Sequence, residues 1–200
     1  MKKTILLVSL CFSMMFTACF DNGGSNNNGG SKNSTTTTTT DNGKKSTTET
    51  RNSFSSNDGK FSINFPAPPA GPESSIEKNK AGLMQTFTYT LSVSDNAYYF
   101  AYYKDYPVGV ITDSNTETML KKEADNFMKN CGSSVAKSTE ERLNGNKGLS
   151  FSGVLNDTIN INMRAFFVGK RYYQFGTMAS DGAISDKDSK KFINSFEIVK

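Results

Sequence analysis

Between Leu83 and Val93 the sequence alternates without a break, with Leu83, Gln85, Phe87, Tyr89, Leu91 and Val93 set against Met84, Thr86, Thr88, Thr90 and Ser92. A period of two held for so long fits a β-strand with one apolar face and does not fit a helix. Such a strand is stable only within a sheet whose apolar face is covered. The chain must therefore build an antiparallel sheet with another layer on it. Ser94-Asp95-Asn96 reads as the turn into a further strand, Ala97 to Lys104. Upstream, Phe61, Ile63 and Phe65 alternate in the same way before the prolines between Pro66 and Pro72 stop the strand.

Helical spacing follows. Met119, Leu120, Ala124, Phe127, Met128 and Cys131 fall on one side, Ser114 and Glu117 have capping-box spacing, and Gly132 stands where a helix should stop. Strand patterns then resume from Val135 to Leu143, Leu149 to Leu155, Ile159 to Phe167 and Tyr172 to Ala179. They are separated by the turns Asn144-Gly145-Asn146-Lys147-Gly148, Asn156-Asp157 and Gly169-Lys170. A short helix from Asp186 to about Ser195, capped by Ser185 and packing through Phe192, Ile193 and Phe196, closes the series. The expected class is α+β, with an antiparallel sheet of about six or seven strands flanked by helices.

Three stretches carry a family resemblance: Gly59-Lys60-Phe61-Ser62-Ile63-Asn64-Phe65-Pro66, Phe166-Phe167-Val168-Gly169-Lys170-Arg171-Tyr172-Tyr173, and Lys191-Phe192-Ile193-Asn194-Ser195-Phe196. Together they resemble the PsbP/Mog1-like group of α/β/α sandwich domains, which includes small bacterial lipoproteins, and the likeness covers most of Phe54 to Lys200. These are packing and turn motifs and bring no catalytic residue with them. The resemblance implies a sandwich fold and an accessory or binding role, as in photosystem assembly, nuclear transport and bacterial envelopes.

Ahead of the domain, Lys2 and Lys3 precede an apolar run from Ile5 to Phe16, then Thr17, Ala18 and Cys19. This is the pattern of a signal peptide over residues 1–18, and the run is shorter than the roughly 20 residues of a spanning helix. An uncleaved helical anchor is the alternative. Phe16-Thr17-Ala18-Cys19 resembles the bacterial lipobox, departing from it at Phe16, where an aliphatic residue is usual; the resemblance implies cleavage before Cys19 and lipidation of its sulfur. Cys11 is a poorer site because Leu10 precedes it. Two or more acyl chains hold a protein stably on a membrane. Phe20, which is not Asp, permits sorting to an outer membrane where the cell has one. Residues 19–53 are rich in Asn, Gly, Ser and Thr, including Thr35 to Thr40 unbroken, and read as a disordered tether or, alternatively, a glycosylated stalk. The folded domain is expected over 54–200.

Composition narrows the chemistry. The chain has no histidine, which removes Ser-His and Cys-His nucleophiles and the commonest metal ligand. It has no glycine-rich phosphate loop and no paired cysteine spacing for zinc, so no cofactor or metal is expected. Of the formal charge of +4, Lys2 and Lys3 belong to the leader, and residues 19–51 carry four basic groups against three acids. The remainder is close to neutral, without the basic stripe of a nucleic-acid binder. Ser75-Ile76-Glu77-Lys78 and Ser134-Val135-Ala136-Lys137 fit S-x-x-K and Ser94-Asp95-Asn96 fits S-D-N, yet K-T-G is missing; turns and loops explain them. Cys131 reads as a buried residue behind a helix, and Asp181, Asp186 and Asp188 as helix N-terminal acids without an EF-hand's spacing.

One feature has a binding character, the run Tyr98, Tyr99, Phe100, Tyr102, Tyr103, Tyr106 joined by Tyr172 and Tyr173. Alternation puts Tyr99 and Tyr103 on one face of their strand and Tyr98, Phe100 and Tyr102 on the other. The candidate surface is Tyr99, Tyr103, Tyr106 and Tyr172, for an envelope protein, a peptide or a glycan. The competing reading covers both faces with helices. The function expected is non-catalytic binding or assembly by a membrane-anchored lipoprotein, with a histidine-free envelope hydrolase as the alternative.

Overall fold

The computed structural model describes residues 53–79 and 82–199. Cys19, the leader and nearly all of the tether lie outside the described residues. The elements are β1 (Ser53–Ser56), β2 (Phe61–Asn64), β3 (Ala70–Asn79), β4 (Gly82–Ser94), β5 (Ala97–Asp105), α1 (Thr116–Asn130), β6 (Lys137–Leu143), β7 (Asn146–Leu155), β8 (Ile159–Val168), β9 (Arg171–Ser180), α2 (Asp186–Ile193) and β10 (Glu197–Ile198). Seven strands form one antiparallel sheet in the order β3-β4-β5-β9-β8-β7-β6, and β1-β2-β10 form a second, small antiparallel sheet. Two hairpin series, β3-β4-β5 and β6-β7-β8-β9, meet where β5 pairs with β9.

Each face of the large sheet has its own core. On one, α1 lays Leu120, Ala124, Phe127 and Met128 against Phe100, Leu149, Phe151, Ile161 and Met163. On the other, the small sheet and α2 bring Phe54, Phe61, Ile63, Phe65, Phe192 and Phe196 onto Tyr89, Tyr99, Tyr103, Phe166 and Phe175. Phe196 stacks on Phe175 with ring centroids 4.1 Å apart. The expected sheet with helical cover is present, but the second face is covered largely by three short strands.

The helix ends follow local chemistry. At the end of α1 the amide of Gly132, at φ +75, donates to Lys129 O and that of Ser133 to Met128 O. This is the left-handed glycine stop that the sequence indicates. The capping box expected of Ser114 and Glu117 does not form. Asn115 is the N-cap and makes no side-chain cap bond, Ser114 Oγ meets Thr112 Oγ1, and Glu117 pairs with Lys121. The Thr112 carbonyl accepts from Asn115 and Thr116 instead. Ser185 caps α2 as expected, its Oγ accepting from the Asp188 amide at 3.1 Å.

β3 departs most from the sequence pattern. Its single large apolar residue, Ile76, is 58% exposed, and Pro72 falls at the register shift between Ala70 and Glu73. An edge strand can be polar on both faces and can absorb a proline at a bulge. β4 is also two-sided. Tyr89 packs in one core and Met84 in the other, while Leu83 at one end is 64% exposed.

Candidate functional site

The four tyrosines proposed as a surface lie inside the protein. Tyr99, Tyr103, Tyr106 and Tyr172 are 5%, 2%, 4% and 0% exposed, so the expected binding surface is not formed by them. The reason is the double cover over β5 and β9. Tyr99 sits edge-on to Phe192 at 5.0 Å, and Tyr103 stacks on Phe87 at 4.8 Å with the Arg171 guanidinium over its ring. Tyr172 and Tyr102 both donate to Gln174 Oε1, at 2.7 and 2.9 Å. Tyr106 packs against Phe167, and its hydroxyl lacks a well-formed hydrogen bond although the Glu123 carboxylate is its neighbour. Burial pushes all four phenols above their ordinary value, and that of Tyr102 with them.

Beside these tyrosines, Lys104 of β5 and Glu123 of α1 form an ion pair of 2.8 Å, both side chains largely shielded. It fixes where α1 lies along the sheet. Its geometry is that of a packing device, with only a small part of each side chain left to solvent.

Concavity lies elsewhere. The small sheet and α2 cover only part of their face: they bury Phe166 of β8 but leave the neighbouring stretch over β6, β7 and β8 open. There a trough of about 500 Å³ runs between β6 and α2. Its floor is Ser150 and Ser152 from β7 with Asn162 and Arg164 from β8; one wall is Lys137, Thr139 and Glu141 of β6, the other Asp186, Ser189, Lys190, Ile193 and Asn194 of and just after α2. The depression arises because β7 offers only small side chains between long ones. It is bounded along β7 at Gly148, where the space a side chain would take is filled by the Phe166 ring.

Arg164 closes one end. Its Nε donates to Glu141 Oε1 at 2.7 Å, its Nη1 to Asn194 Oδ1 at 3.2 Å, and its guanidinium rests over Phe166. One side chain thus ties β8 to β6 and to the end of α2. The other end continues into a hollow of about 260 Å³ lined by Asn160, Asp181 and Ile184, where Asn160 Nδ2 donates to Asp181 at 2.7 Å. Shape and chemistry suit a hydrophilic, hydrogen-bonding ligand.

Sequence reasoning passed over this trough. Its floor was visible as the polar half of the alternation in β7 and β8, Ser150, Ser152, Asn162 and Arg164, which in an unpaired reading is an ordinary solvated face. The remaining sequence candidates take plain structural places. Cys131 is buried behind α1, and Asp188 accepts from Ser185 Oγ at the α2 cap. Asp95 and Asn96 make the β4–β5 turn, where Ser180 N donates to Asn96 O. Among the described residues no group of three or more Asp, Glu or Cys is placed to hold a metal ion, and no helix is long and apolar enough to cross a membrane.

No protein-family model matches the sequence, and no curated protein matches it. Among solved structures, the solution structure of cyanobacterial PsbP from Synechocystis is similar, with a TM-score of 0.50 at 9% identity. The likeness covers 73% of this chain and 91% of that one. Such a likeness without sequence identity speaks to architecture alone: the domain has a PsbP-like fold.

Proposed function

We propose that the domain is a non-catalytic binding module and that its ligand lies in the trough between β6 and α2. One observation carries this reading, a concave, solvent-open floor of hydroxyl, amide and guanidinium groups beside the layer that α2 and the small sheet lay on the large sheet. Of the trough's two carboxylates, Glu141 is held in two-point contact by Arg164, which suits orientation of a wall more than proton transfer, and Asp186 stands in the first turn of α2, where an acid complements the helix end. That favours binding over the histidine-free hydrolase. The accessory role implied by the PsbP/Mog1-like resemblance points the same way.

We further propose that the chain is exported, cut before Cys19 and held on an envelope membrane by lipid on that cysteine. The leader and the lipobox-like Phe16-Thr17-Ala18-Cys19 support this. Mass spectrometry of the mature N-terminus decides it; an unmodified Cys19 inside an intact leader sinks the lipoprotein reading. For the trough, a photo-crosslinking residue placed at Ser152 should give a discrete adduct in cells, and one at Ser75 on β3 should not. Equal adducts from both positions, or none from Ser152, would remove the trough as the binding site.

A further inference from the structure

Resting on the reading of the trough as the ligand site, we propose that its ligand is an acidic segment of polypeptide, lying extended along β7 with its carboxylates drawn to Lys137 and Lys190. The charges in the trough divide unevenly. Arg164 and Glu141 neutralise each other. Lys137 on the β6 wall and Lys190 on the α2 wall are both exposed, and neither enters an ion pair among the described residues. Asp186, in the first turn of α2, is the remaining acid of the lining. Lys137 and Lys190, on opposite walls, thus outnumber the remaining acid by one and leave the trough with a net positive charge over a floor whose own charges cancel.

The floor suits a backbone. Pairing sets Lys137, Ser152 and Asn162 in one row across the strands and Thr139, Ser150 and Arg164 in the next. Rows on one face of a sheet repeat every two residues, roughly 6.6 Å, which is also the repeat of alternate side chains in an extended peptide. Ser150, Ser152, Thr139 and Asn162 offer both donors and acceptors to the amides of such a segment. A sugar finds less there. The one aromatic residue of the lining, Phe151, packs in the opposite core against Phe127 and presents no ring face to the trough.

The test uses the full chain, isotopically labelled, with the amides of Ser150, Ser152 and Asn162 followed by NMR during titration with hexaglutamate, hexaserine, hexalysine or an oligogalacturonate. Hexaglutamate should move these amides saturably, and added salt should weaken the effect. Lys137→Ala and Lys190→Ala should each weaken it by about two- to fivefold, the range of an exposed ion pair. Changing both lysines to Glu should transfer the preference to hexalysine. The inference is overturned if hexaglutamate leaves these amides unmoved, or moves them equally in both lysine variants. Should the oligogalacturonate or hexaserine bind there in its place, the acidic-peptide assignment fails while the trough stands. Failure of the Ser152 crosslink would instead remove the trough itself.

Discussion

Tyr99 and Tyr103 illustrate how much a single side chain's role depends on what is laid over it. Tyr99→Ala or Tyr103→Ala empties a space in the core under α2 and the small sheet, and each should cost about 3–5 kcal/mol, measured by denaturant unfolding. Tyr173→Phe should cost only about 1 kcal/mol, because it removes one buried bond, from the hydroxyl to Gly59 O at 2.7 Å, and keeps the ring. The phenols also report on the whole core. All eight have pKa values raised by burial above the ordinary value of 10.0. A folded-state value above the unfolded one leaves the stability intact below pH 10 and erodes it as pH climbs towards the folded values. Absorbance of tyrosinate should therefore stay low past pH 10 and then rise in one cooperative step with unfolding. A gradual titration centred near 10 would show the phenols to be solvated.

At the scale of elements, the Lys104–Glu123 pair joins α1 to β5, an interior strand of the sheet. Removing one partner strands the other away from water, so Glu123→Leu alone should destabilise by about 3 kcal/mol or more, whereas Lys104→Met with Glu123→Leu should recover most of that loss. A double-mutant cycle measures it. The strands with regular alternation, and α1 with its apolar stripe and glycine stop, were legible from sequence because their signals are local. β3 was not. Its residues from Glu73 to Lys78 carry no apolar face, and it is a strand only because β4 offers an edge to pair with. The small sheet is similar: β10 is two residues long and exists through its pairing with β2. The capping box failed for a related reason, since the turn Thr112–Asn115 already supplies the carbonyl that accepts from the start of the helix.

Across the whole molecule, the trough is a matter of coverage. The sequence marks Ser150, Ser152, Asn162 and Arg164 as one polar face, but which faces a layer covers is decided by where α2 and the small sheet come to rest. The tyrosine surface was misjudged by the same rule in reverse, since Tyr99 and Tyr103 lie under those layers. Filling the floor tests how independent the trough is of the fold: Ser152→Trp should abolish hexaglutamate binding while leaving the unfolding midpoint nearly unchanged. A large loss of stability would show that the floor is part of the core.

The seam between β5 and β9 carries a consequence for how the molecule assembles. Each hairpin series can form from neighbouring stretches of chain, whereas the seam needs a long-range closure and should join them late. Asp105 and Arg171, which clasp it at one end, are 66 residues apart in sequence. Until β9 arrives, β5 presents an unpaired edge rich in Tyr and Phe, the kind of edge that recruits other chains. Folding speed should therefore be governed by this one long-range closure. In pulse-labelled hydrogen exchange, protection should build separately within residues 70–105 and 137–180 before the amides of the shared seam become protected. The chain would then pass its most aggregation-prone moment as two half-sheets waiting to be stitched together.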